Sequence, residues 1–181
     1  TYKAQVMQAV LDAGADIIND VWALRQPGAQ SVVANHPHCG VVLMHMHKTP
    51  QDMQQTPMQG DAVAQVQNFL AQQTQALLAL GVERQRIVWD YGIGFGKTVA
   101  QNFALLAHQT ALTRQGFALL AGWSRKSSLG QVTNLSVEER MVPSVAAAVL
   151  AVERGASVVR VHDVRETVAA LAVWSAMQRS G

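Results

Sequence analysis

Arg86-Ile87-Val88-Trp89-Asp90-Tyr91-Gly92-Ile93-Gly94-Phe95-Gly96-Lys97 is a short apolar run that ends on a carboxylate and passes into a loop of alternating glycines. The run reads as a buried strand and the loop as the turn that leaves its C-terminal end. The same form recurs on both sides. Apolar runs at 15–21 and 40–46 precede it, and runs at 117–123 and 157–162 follow it. All are rich in Val, Ile and Leu and lack clean alternation, as strands buried on both faces do. Helix candidates lie near 28–36, 61–80, 101–114, 136–154 and 163–179, and one more near 3–13 opens the chain. Gly14, Gly81 and Gly155 each fall between a helix and a strand, where a C-terminal cap calls for positive φ. Ser136 and Glu139 have capping-box spacing, and Pro143 marks the start of a helical segment. The order is α(βα)5, which demands a parallel sheet with right-handed crossovers. An open doubly wound sheet and a β/α barrel both fit. A closed barrel needs eight strands and about 250 residues. Five strands in 181 residues fall short, so periodicity and length alone favour the open sheet.

With 49% hydrophobic and 14% charged residues, the chain reads as one globular domain over 1–181. A net charge of +2 is too small to argue for nucleic acid or an anionic membrane surface. No apolar run reaches spanning length and no signal peptide opens the chain, so no membrane association is expected. The lone Cys39 excludes an internal disulfide and suits a reducing compartment; a cytoplasmic location is expected.

Each apolar run delivers polar groups at its C-terminal end. They are Asn19-Asp20, His45 and His47, Asp90, Ser124-Arg125-Lys126-Ser127, and Arg160 with His162 and Asp163. In parallel α/β folds that rim is where ligands bind. Helix capping alone would account for Asp20 and Asp163. It does not account for Arg160, flanked by Val158, Val159 and Val161, which would be costly to bury without an anionic partner. The glycine loop fails the P-loop pattern, because Tyr91 stands where a glycine is needed. It fails the dinucleotide pattern at Lys97. What remains is a loop whose glycines let a flat ring approach the backbone, with Ile93 and Phe95 as apolar walls, or else a plain flexible turn. Arg160 and His162 are two apart on a strand and face one side, which suits an oxyanion or a diphosphate. His36, His38, His45 and His47 suggest zinc only weakly, since no carboxylate or Cys completes a ligand set. The polar stretch 48–60, with Pro50 and Pro57, reads as a long functional loop on the same rim.

Gly14-Ala15-Asp16-Ile17-Ile18-Asn19-Asp20, Leu43-Met44-His45-Met46, Asp90 through Lys97, Ser124-Arg125-Lys126-Ser127 and Arg160-Val161-His162-Asp163, in this order, resemble dihydropteroate synthase over nearly the whole chain. The resemblance implies a parallel β/α barrel of the TIM type, here a partial barrel of order α(βα)5, whose rim holds a pterin. By resemblance, Asn19 and Asp90 hydrogen-bond the pterin ring, and Lys126 reaches its carbonyl side and borders the aminobenzoate. Met44, Ile93, Gly94 and Phe95 line the pocket, and Ser127 lies near the aminobenzoate. Arg160 and His162 are similar to the family's diphosphate site and, with Lys126, are the implied catalytic groups. The implied reaction joins 6-hydroxymethyl-7,8-dihydropterin diphosphate to p-aminobenzoate, giving 7,8-dihydropteroate and diphosphate in folate biosynthesis. Magnesium is the implied cofactor, with no metal ligand in this chain, and a homodimer the implied assembly. The apolar helix near 144–152 is a candidate for the dimer contact, or for ordinary packing on the barrel.

Three departures from the family pattern stand out. Tyr91 replaces a proline and Ile93 a phenylalanine, which predicts a looser loop with one aromatic wall fewer. Trp123 occupies a position usually held by something smaller. The family's first three strands, which carry an Asn linked to the metal, a mobile loop and a pterin-gripping Asp, have no counterpart here. A fragment of a longer protein, poorly active and with sheet edges prone to association, is therefore expected. Two other functions stay open: a pterin-binding module without transferase activity, and a pterin-dependent methyltransferase domain. The Ser-Arg-Lys and Arg-x-His cations argue against the second, because a methyl donor brings no diphosphate to neutralise.

Overall fold

The computed structural model of the chain describes residues 1–49, 51–53 and 56–180, so Pro50 of the long loop lies outside the described residues. Its strands are β1 (Ile17–Asp20), β2 (Gly40–Met44), β3 (Ile87–Asp90), β4 (Ala118–Ala121) and β5 (Val158–Val159). Its helices are α1 (Ala4–Asp12), α2 (Ala29–Asn35), α3 (Ala62–Ala79), α4 (Val99–Ala107), α5 (Gln109–Thr113), α6 (Ser127–Thr133), α7 (Met141–Glu153) and α8 (Val164–Gln178).

Every strand pair is parallel, and the sheet order is β1-β2-β3-β4-β5. That order decides between the two architectures. A doubly wound sheet reverses its order at a switch point. Here each strand lies beside the next, so every right-handed crossover turns the same way and sets its helix on the same face. The result is a curled half-barrel with helices outside, and it overturns the open sheet that periodicity favoured.

Side chains alternate across a strand, which sorts the sheet into two faces. Ile18, Val41, Leu43, Ile87, Trp89 and Leu119 join one core with Leu11, Val66, Leu70, Leu105 and Ala151 of the helices. Trp89 anchors it. Its indole N–H donates to Thr74 Oγ1 at 2.8 Å, and its ring stacks on Phe117 with centroids 4.9 Å apart. Burial of one large apolar side chain contributes about 1.5–3 kcal/mol. The inner face is covered only at its centre. Val42, Met44 and Leu120 are buried there, while Ile17 on β1 is 57% exposed and Val158 on β5 is 44% exposed. Burial of all five strands on both faces was expected. Each edge strand has a single neighbour, so its inner side chains meet no opposing layer.

Local sequence explains most helix boundaries. Asp61 caps α3 by accepting from the Val63 and Ala64 N–H groups. Thr98 and Gln101 form a reciprocal capping box at the start of α4. Gly14, Gly81 and Gly155 all have positive φ, as expected of caps. Three expectations change. The helix near 101–114 is divided at His108 into α4 and α5. The helix near 136–154 starts only at Met141; the Glu139 carboxylate does accept from the Ser136 N–H, but across a turn that precedes it. Pro143 sits in the first turn of α7, where its missing N–H leaves no gap. Finally, α6 begins at Ser127, so the Ser-Arg-Lys loop runs straight into a helix. No described helix is long and apolar enough to cross a membrane.

Candidate functional site

The inner face and the β-to-α loops meet at the C-terminal rim. Asn19 and Val21 follow from β1, Met44 ends β2, Asp90 ends β3, Gly122 follows β4 and Arg160 follows β5. With Ile93, Phe95 and Lys126 they line a single cavity of about 350 Å³. Asn19, Met44, Asp90, Ile93, Phe95, Lys126 and Arg160 are therefore gathered in one hollow, as the resemblance implied.

Asp90 lies at the inner wall, 7% exposed, with one carboxylate oxygen accepting the Gly92 N–H at 2.7 Å. Burial pushes its carboxyl up to about 6; the Gly92 N–H and the charges of Lys97, Lys126 and Arg160 pull the other way. Lys126 Nζ stands 4.5 Å from the Phe95 ring centroid, a cation–π contact that aims the ammonium across the cavity. Burial lowers its pKa, Asp90 raises it, and Arg160 lowers it further. Arg160 was expected to be buried. It is exposed instead, because β5 is an edge and the cavity is open beside it.

Arg160 also borders a second hollow of about 560 Å³, together with Lys126, Ser124 and His162. Ser124 Oγ accepts the His162 backbone N–H at 3.1 Å and lies 2.8 Å from its Nδ1, which fixes the ring beside Arg160. Arg125 lines the same hollow, but its charge is paired. It forms a two-pronged pair with Asp163 at 2.7 and 3.3 Å, and this pair takes Asp163 away from the capping role expected of it. Arg125 holds a positive φ of 59°, steadied by Ser144 Oγ on its N–H and by Arg140 on its carbonyl. Asp20 caps a turn over 21–24 and not the helix foreseen for it, accepting from the Trp22 and Leu24 N–H groups at 3.0 and 2.9 Å.

Gly94 and Ser127 were expected at the pterin pocket and its neighbour. Both line a third hollow of about 250 Å³, with Thr98, Asn102 and Ser128. Protein packing alone accounts for two of the glycines. A Cβ on Gly92 would collide with the His45 carbonyl oxygen, and one on Gly96 would lie 2.7 Å from His47 Cβ. These two glycines thus let the β3 loop press against the β2 loop, not against a ligand.

Tyr91 and Trp123, noted as separate departures, are partners. Trp123 Nε1 donates to the Tyr91 hydroxyl at 3.0 Å, and that hydroxyl donates to Gln109 Oε1 at 2.9 Å. Gln109 Nε2 donates to the Ala151 carbonyl at 2.7 Å. Both rings are fully buried among the helices and lie outside the cavity lining. The loop after β3 is pinned, not loosened. Among the described residues, no three His, Cys, Asp or Glu side chains are grouped to hold a metal. His45 is buried against Phe69 with its pKa lowered to about 3, chiefly by burial, and stays neutral.

Sequence reading missed Lys97 and Asn102 as members of the site. Asn102 Oδ1 accepts the Gly94 N–H at 3.0 Å and its Nδ2 donates to Ser128 Oγ at 2.9 Å, tying the glycine loop to α6. The signal was available: Asn102 falls on the same stripe of α4 as Leu105 and Leu106, where a polar residue needs a reason.

Residues 1–162 match the pterin binding enzyme family. The chain is 40% identical to the dihydropteroate synthase of Haemophilus influenzae over 96% of this chain and 63% of that protein. It superimposes on the dihydropteroate synthase of Burkholderia cenocepacia complexed with 7,8-dihydropteroate at a TM-score of 0.93 and 49% identity, covering 99% of this chain and 67% of the other. It superimposes on the Xanthomonas albilineans enzyme with 4-aminobenzoic acid at 0.91 and 48%, covering 98% and 63%. The chain spans about 61–64% of the length of the first three curated relatives it matches. A match over this much of the chain, on the half-barrel and rim just described, settles its kinship: the chain belongs to the pterin binding enzymes.

Proposed function

We propose that these residues form the pterin side of a dihydropteroate synthase site, which joins 6-hydroxymethyl-7,8-dihydropterin diphosphate to p-aminobenzoate. The observation that carries this reading is a buried carboxylate, Asp90, on the wall of a cavity whose open side bears Lys126 and Arg160. A pterin offers paired N–H donors on its guanidine-like edge, and an ionised carboxylate is their natural acceptor. Asn19 adds a polar contact, Met44, Ile93 and Phe95 supply apolar walls, and the Lys126 ammonium suits the ring carbonyl. A volume of about 350 Å³ is at the lower end of small-molecule pockets, as a bicyclic ring requires.

In the proposed reaction the C–O bond to the diphosphate breaks and the arylamine nitrogen bonds to the pterin methylene. The amine loses a proton, and the diphosphate leaves with the bonding pair. Charge therefore builds on the departing oxygens, where Arg160 and the Ser124-oriented His162 are placed to receive it. Ser127, in the adjoining hollow, is assigned to the aminobenzoate. Relatives solved with 7,8-dihydropteroate and with 4-aminobenzoic acid support the choice of substrates. Magnesium has no ligand set among the described residues, and the side chains nearest the proposed diphosphate site are cationic. They do not fit a resident metal, and the steps above use none. A second copy of the chain is the partner proposed for the apolar groove between α7 and α8, lined by Val142, Val145, Val149 and Leu150. The cytoplasm, where folate precursors are made, is the proposed location.

Isothermal titration with the pterin diphosphate, followed by chromatography after adding p-aminobenzoate, tests the reading. Binding is expected, with slow dihydropteroate formation, because the chain spans about 61–64% of the length of its relatives. Binding without product would favour a pterin-holding module, and absence of binding would overturn the proposal.

A further inference from the structure

We propose that Lys97, given no role above, is a positioning residue for the pterin site: its ammonium fixes the glycine loop beside Asp90 and keeps the Asp90 carboxyl in its hydrogen-bond-accepting form. The inference rests on the pterin reading.

Lys97 is 6% exposed, unusual for a lysine, and it forms no ion pair among the described residues. Its Nζ instead turns back into its own loop. It donates to the Gly92 carbonyl at 2.8 Å, to Phe95 at 3.3 Å and, across to the β2 loop, to His45 at 3.4 Å. Three N–H groups meet three carbonyls, and the loop is closed on itself around the cation. Gly92 is the residue whose N–H holds Asp90, and Phe95 is a wall of the cavity. One ammonium thus sets both the donor under the carboxylate and the ring that faces the ligand.

The second role is electrostatic. The charged or titratable groups acting on Asp90 are Lys97, Lys126 and Arg160. Lys97 itself feels Asp90 and Lys126, and it acts in turn on His45 and His47. His45 is neutral, so it does not compete. Lys97 is buried while Lys126 is half-buried and Arg160 exposed, so the Lys97 charge is the least screened of the three. Burial draws Lys97 down to about 7, and the Asp90 charge opposes that shift.

The test compares the unmodified chain with Lys97→Met, which loses charge and donors, and Lys97→Gln, which loses charge but keeps donors. The probe is 6-hydroxymethylpterin, which lacks the diphosphate and so reports on ring recognition alone. Its affinity is measured from about pH 5 to about pH 7.5, where ionisation of Asp90 sets the low-pH edge. Both variants are expected to move that edge upward by about one pH unit. Weaker affinity with an unmoved edge would mean a structural role only and would overturn the proposal. No binding by the unmodified chain would remove the pterin reading itself. A carbon-13 titration of the Asp90 carboxyl in the unmodified chain is independent of variant folding. A main step near 6, with a smaller displacement as Lys97 loses its proton, is expected; absence of the smaller displacement would also overturn the proposal.

Discussion

Burial of Asp90 opposes ionisation of its carboxyl, while recognition of a donor edge needs the charge. The two demands give opposite signs for stability and function. The folded carboxyl titrates near 6 against an ordinary 3.8, so between those values the folded chain binds more protons than the unfolded one. Stability contributed by Asp90 is thus full below about 4 and falls as pH rises to about 6. Asp90→Asn keeps an acceptor for the Gly92 N–H and removes the buried charge. It is expected to raise thermal stability at pH 7.5 by about 1–3 kcal/mol, with the lost attraction to Lys97 setting the lower end, and to abolish pterin binding. Calorimetric unfolding alongside titration checks both signs. Gly92→Ala is expected to do the reverse of a harmless change. Its Cβ meets a backbone carbonyl that cannot step aside, at a φ of 64°, and a cost above about 2 kcal/mol should appear in denaturant unfolding.

At the scale of elements, the rim loops are held by side chains that reach across helices. The chain Trp123–Tyr91–Gln109–Ala151 ties the loops after β3 and β4 to α5 and α7. Tyr91→Phe strands the Gln109 Oε1 and the Trp123 N–H in the core, which should cost about 1–3 kcal/mol in urea unfolding. Pterin affinity should change little, since neither ring lines the cavity. A large loss of affinity with unchanged stability would contradict this division of labour. The strands, most helices and the capping glycines were legible in the sequence because each is a local pattern. The break at His108, the start of α6 at Ser127 and the Arg125–Asp163 pair were not. Each depends on a partner 15 or more residues away: Ser144 and Asp163 for Arg125, and Tyr91 and Ala151 for Gln109.

At the scale of the whole molecule, the strand-end residues line one cavity, and the partial barrel that the resemblance implied is the one found, although periodicity alone favoured an open sheet. Asn19, Asp90, Lys126 and Arg160 stand far apart in sequence, but polar groups at the tips of parallel strands converge whether the sheet is flat or curled. What periodicity could not show was the unreversed strand order, which curls the sheet. The same half-barrel leaves β1 and β5 with one neighbour each and exposes Ile17 and Val158. Self-association through these edges is expected to rise with concentration in light scattering, and Ile17→Lys with Val158→Lys should suppress it. Val142→Glu on the α7 groove should instead weaken a discrete dimer. The most direct measurement of the central claim is a crystal structure of the chain with 6-hydroxymethyl-7,8-dihydropterin diphosphate bound. The account predicts the ring edge on Asp90 and Asn19, with the anionic tail toward Arg160 and His162. A ring seated elsewhere, or a tail turned away from Arg160, would contradict it.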